Sequence, residues 1–175
     1  MENLTGLERR NEEAVIIGMG PSRSIIMDNP DFATNRSVAL INRAGYEWPF
    51  TFDYWCSYHA ERMVRWWYKR EALGHPINKD AIAIVCGNTK VNIDAIPHVN
   101  ITKQVHGLNM GGTSSIMAAM AMLGMGYKVV HLFGVDLNGK ARSKERKFWR
   151  ILKDEPLIFH GDDWFHRHVF KEVYS

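Results

Sequence analysis

Cysteine is scarce in this chain. Cys56 and Cys86 are the two among 175 residues, each in an apolar context, and their spacing forms no zinc set. That excludes a disulfide scaffold and leads us to expect reduced core thiols in a cytoplasmic protein. No apolar run reaches the ~18 residues of a membrane span. Met1 to Glu13 is polar and charged, with no signal-peptide core. Strong charge is missing too: a net charge of +3 admits an anionic ligand without indicating a nucleic-acid partner. There are no repeats or low-complexity tracts, so 1–13 reads as a solvated polar lead-in and 14–175 as a single domain. With 46% hydrophobic residues, that domain can build its core without cross-links.

What the chain does have is a buried strand running into a glycine turn, Ala14-Val15-Ile16-Ile17-Gly18-Met19-Gly20-Pro21-Ser22. A continuous apolar run fits a strand covered on both faces, as in a parallel sheet. Gly18 and Gly20 let the backbone turn sharply, Pro21 fixes φ, and Ser22 suits a helix N-cap. The turn lacks the third glycine of the dinucleotide fingerprint and the Gly-Lys-Ser/Thr of a Walker loop. It is either a cradle of backbone N–H groups for phosphate or a plain strand-to-helix turn.

Along the chain the pattern predicts strands at 14–18, 37–42, 53–58, 81–86 and 128–133, with a short one within 97–105. Helices are predicted at 22–29, 59–73 and 116–123, with closing helices at 144–152 and 163–173, and a loop at 45–50. This is an α/β, Rossmann-like domain with a mainly parallel sheet flanked by helices. In such sheets ligands sit beyond the carboxyl ends of the strands, at the topological switch. Candidate binding residues are therefore Gly18, Gly20, Pro21 and Ser22, then Asn42 and Arg43, then His59, and then a second glycine turn, Gly112-Thr113-Ser114-Ser115. The second turn is either another anion cradle or the N-cap of a buried helix. Two such turns favour a pyrophosphate-bearing ligand.

Asp136, after Phe133-Gly134-Val135, is placed to bind ribose or magnesium or to cap the next segment. His160 stands beside Asp162 and Asp163 and is the candidate general base. His166 and His168 do not share a helix face and read as a surface cluster. The basic run 140–147, three Lys and two Arg against Glu145, is either a solvated face or a lid over phosphates. The aromatics gathered at 46–68 and 148–174 build a core or a stacking surface, and a homo-oligomer that buries some of them fits this composition.

Taken in order, Val15 to Ser22, Asn42-Arg43, Tyr58-His59, Thr113 to Ser115 with Leu123 to Lys128, and Phe133 to Asp136 resemble the bacterial lipooligosaccharide CMP-sialyltransferase fold. They are equally similar to motility-accessory and 6-hydroxymethylpterin diphosphokinase-like domains, small phage-encoded members included. The resemblance covers roughly 14–137. It implies a nucleotide-sugar site, with Gly18 to Ser22 and Thr113 to Ser115 along the phosphate and ribose, and Asn42 at the nucleoside. It implies direct displacement at the anomeric carbon toward an unidentified acceptor, whose proton a His or Asp would take, with His160 the nearest match to the base and Asp136 the other catalytic candidate. No cofactor is required in that reading. The diphosphokinase-like alternative would use magnesium with Asp136, and a third reading is a non-catalytic nucleotide-binding module.

Overall fold

Alternate residues of the central strands enter different cores. The structure, a computed structural model, describes residues 7–85, 98–100, 113–137, 143–162, 164–170 and 173–174. In β1 (Glu13–Ile17), Ala14 and Ile16 enter one apolar cluster while Val15 and Ile17 enter another. β2 (Ser37–Ile41) divides in the same way, Ala39 and Ile41 against Val38 and Leu40. A strand covered on both faces needs apolar residues at every position, which is why these segments read as unbroken runs.

The remaining strands are β3 (Tyr54–Ser57), β4 (Ile82–Val85), β5 (His98–Asn100), β6 (Val129–Phe133), β7 (Leu157–His160) and β8 (Val173–Tyr174). They form one eight-stranded sheet in the order β5-β4-β3-β2-β1-β6-β7-β8. Every pairing is parallel, with Ile17 opposite Leu40 on one side and Phe133 on the other. The chain builds outward from β1 to β5, then returns to the other side of β1 with β6. The switch point lies between β1 and β6. This is the α/β Rossmann-like arrangement that the sequence predicts.

Helix α1 (Arg23–Asp28), α2 (Ala44–Glu47) and α3 (Ala60–Ala72) cover one face through Ile26, Ala44, Met63, Trp66 and Trp67. Helix α4 (Ser114–Gly124) covers the other. Nine of its residues are buried, so its sequence shows small and sulfur-bearing side chains all round rather than one polar face. Trp149, at the end of α5 (Ser143–Trp149), and Phe165 of α6 (Trp164–Val169) close that side.

Four elements differ from the predicted pattern. Leu157–His160 is a strand, because a short apolar run between Pro156 and Gly161 completes the sheet beside β6. The 45–50 loop begins inside the one-turn helix α2. The last predicted helix stops early, and Val173–Tyr174 pairs with β7 instead. The lead-in is docked from residue 7 on. Leu7 is buried, Tyr54 Oη donates to the Glu8 carbonyl at 3.1 Å, and Arg10 bonds Asp53 at 2.9 Å and the Asp80 carbonyl. No helix among the described residues is long and apolar enough to cross a membrane.

Candidate functional site

Beyond the carboxyl ends of β1, β2 and β6 lies a cleft of about 250 Å³. Its walls bring together Gly18, Gly20, Asn42, His59, Thr113, Ser114, Ser115 and Asp136, eight residues named from the sequence. They come from five separate strand or helix ends and meet at the switch point. Arg43 is elsewhere: its guanidinium pairs with Glu47 one turn on, at 3.0 Å. Pro21 and Ser22 do not line it: Pro21 is exposed and Ser22 is buried. Gly112 falls outside the described residues.

The first glycine turn is closed by its own chain. Gly18 N–H donates to the Phe133 carbonyl and Gly20 N–H to the Gly134 carbonyl, both at 2.7 Å. Asp136 Oδ2 accepts from Ser22 N–H at 3.0 Å and from Ser22 Oγ at 2.9 Å, while Ser22 Oγ accepts from Gly134 N–H at 2.8 Å. The donors expected to cradle phosphate are therefore bonded to β6 and the segment after it. A carboxylate occupies the helix start, where an anion is favoured. Gly134 sits at φ +67, and a Cβ there would come within 2.6 Å of the Gly18 carbonyl, so the two loops can close this tightly only around glycine.

Asn42 is the polar centre of the cleft. It ends β2 in the left-handed region at φ 50, which asparagine tolerates better than most residues. Its Oδ1 accepts from Ser57 Oγ at 2.8 Å and from Ser114 Oγ at 3.0 Å. With the oxygen doubly engaged, Nδ2 is the edge left for a ligand acceptor. The two hydroxyls in turn accept from His59 N–H at 2.8 Å and Tyr58 N–H at 3.0 Å, so β2, β3 and α4 are locked together at this corner. Ser57, the last residue of β3, was not identified from the sequence. Its signal is its place at a strand end.

The N-terminus of α4 opens on the same cleft. Thr113, its N-cap, makes no side-chain cap, and its Oγ1 is buried with no hydrogen-bond partner. His59 stands at the start of α3, about half exposed, its Nδ1 3.4 Å from Glu61. Glu145 of α5 lines the outer wall, while Lys140 and Arg142 of the basic run fall outside the described residues. Among the described residues no lysine or arginine lines the cleft.

His160 is not in the cleft. Its ring stacks on Phe133 at 4.0 Å between centroids and meets His131 on the opposite face of the sheet. Burial, then the neighbouring His131 and Arg36, lower its pKa to about 4, so it is a poor base as well as a remote one. The reason is strand alternation: Leu157 and Phe159 take the α4 side, which leaves His160 for the other.

A wider hollow of about 660 Å³ includes Arg9, Arg10 and Arg36. Ion pairs with Glu12, Asp53 and Glu13 neutralise all three, so it offers a weaker anion site than its size suggests. No family model matches this chain, nor does any curated protein or solved structure.

Proposed function

We propose that the chain binds a nucleotide or nucleotide-sugar in this cleft and acts as a glycosyltransferase of the sialyltransferase-like kind. One observation carries the reading. Asn42, held by Ser57 and Ser114, stands beside the N-terminus of α4 in a cleft at the switch point of a parallel sheet. The phosphate sits at Thr113 to Ser115, where helix N–H groups and the unpartnered Thr113 hydroxyl stabilise it as it departs. Asn42 Nδ2 donates to the nucleoside. The acceptor's proton goes to His59, the imidazole that lines the cleft, rather than to His160. Asp136 holds the β1 turn in place.

A magnesium-dependent transfer is the second reading, favoured by Asp136 and Glu145 in a cleft without a lysine or arginine among the described residues. Among those residues no three His, Cys, Asp or Glu side chains converge on one point. Magnesium would therefore be shared between ligand phosphates and one or two carboxylates.

The deciding experiment is a thermal-shift panel of CMP, CDP, UDP, GDP, ATP and their sugar conjugates, with and without magnesium. At 100 times its Kd a ligand adds about 2.7 kcal/mol of stability. A selective, metal-independent response that is lost in Asn42→Asp supports the transferase. A response to ATP that requires magnesium supports the second reading. Silence across the panel overturns both.

A further inference from the structure

On the sheet face opposite α4 two imidazoles touch. His131 Nδ1 of β6 lies 3.0 Å from His160 Nε2 of β7. One ring donates and the other accepts, so the contact suits a neutral pair, and a second charge cannot enter it without breaking it. His131 Nε2 faces Glu13 Oε2 of β1 at 3.3 Å, and Arg36 Nε, from the segment before β2, donates to the same oxygen at 2.7 Å. Phe32, from the 3-10 turn Pro30–Ala33, meets both rings edge-on, at 4.9 and 5.3 Å between centroids. Among the described residues, the charged groups that act on the pair are Glu13 and Arg36. Burial lowers the pKa of both histidines. For His131 the bond to Glu13 works against burial, and for His160 the nearby His131 and Arg36 add to it.

The next residue connects the pair to the cleft. Gly161, at φ +132, presses on the back of Ser22, and a Cβ there would come within 2.7 Å of Ser22 Cβ and 3.4 Å of Asp136 Oδ1. The end of β7 therefore supports the Ser22–Asp136 bonds that shape the cleft wall.

We propose that the His131–His160 pair is an acid-released latch for the cleft: protonation of the pair frees the end of β7, and with it the Ser22–Asp136 clasp. The proposal is independent of the ligand, and so is its test. Amide hydrogen exchange is measured on the whole chain at pH 7 and pH 5 and corrected for intrinsic rates. The reporters are the Ser22 and Gly134 amides, which are bonded within the clasp, with the Leu40 amide of β2 as reference. Protection at Ser22 and Gly134 is expected to fall on the order of tenfold at pH 5, after allowing for partial solvent screening. Leu40 should hold, and His160→Phe, which keeps a ring on Phe133, should abolish the fall. If His160→Phe does not fold, His160→Gln serves in its place. Unchanged protection in the parent chain, an equal fall at Leu40, or the same fall in the variant would each overturn the latch.

Discussion

Asp136 accepts two hydrogen bonds from Ser22, one from its backbone N–H at 3.0 Å and one from its hydroxyl at 2.9 Å. The turn after β1 is thereby bonded to the turn after β6 across the switch point. Asp136→Ala leaves both donors unmatched in a half-buried site and should cost about 2 kcal/mol. Asp136→Asn keeps one acceptor oxygen and should cost roughly half of that. Urea unfolding of the two variants separates them. Equal losses would mean that the carboxylate's charge, rather than its geometry, holds the turn.

Arg70 is fully buried and has carbonyls as its hydrogen-bond partners. Its guanidinium donates to Gly45, Trp48, Phe50 and Pro76 at 2.6 to 2.9 Å. Burial lowers its pKa to about 10, which leaves it charged at neutral pH. It clamps α2 and the loop that follows, just beyond the Asn42 corner. Arg70→Met orphans four acceptors and should destabilise by about 3 kcal/mol or more. Arg70→Lys should recover little of this, because an ammonium cannot match the planar fork. Thermal unfolding of both variants tests the difference.

The sheet was readable in the sequence because its central strands are buried on both sides, which turns each into an unbroken apolar run such as Val38 to Ile41. The cleft was readable for the same reason: once strand ends are located, the switch-point rule names Gly18, Asn42 and Asp136. Neither hydrogen-bond partners nor side-chain direction could be read this way. Ser22 and the glycine turn look like a phosphate cradle until Asp136, 114 residues away in sequence, is seen to accept from Ser22, and the Phe133 and Gly134 carbonyls from Gly18 and Gly20. His160 looks like a base until Leu157–His160 is recognised as a strand, whose alternation points the ring away from the cleft.

Acid should weaken the fold in two stages. Histidines whose folded pKa is lowered favour the neutral form, so their contribution is complete above about pH 6.5 and is lost as the pH falls toward the value of about 4 for His160. Glu13 has the same sign at a lower pH: the Arg36 hydrogen bond outweighs burial and holds its carboxyl below the usual range, so its share is lost only under pH 4.5. Urea midpoints measured from pH 8 to pH 3 should show both declines, and Glu13→Gln should flatten the lower one. An upper decline that survives His160→Phe with His131→Gln would assign it to other groups.

Asn42→Asp separates binding from folding. Aspartate tolerates the left-handed backbone at φ 50 and still accepts from the Ser57 and Ser114 hydroxyls, so stability should change by less than about 1 kcal/mol. What it removes is the Nδ2 donor, and it adds a negative charge beside the α4 N-terminus where phosphate would sit. Nucleotide affinity should fall by a hundredfold or so, the combined effect of a lost donor and a like charge in a desolvated cleft. Ser57→Ala is the milder companion: the amide loses one of its two anchors, and affinity should drop about fivefold. Calorimetric titration with the nucleotide that responds in the thermal panel reads both. Undiminished affinity in Asn42→Asp would place the ligand away from this corner, whatever the ligand is.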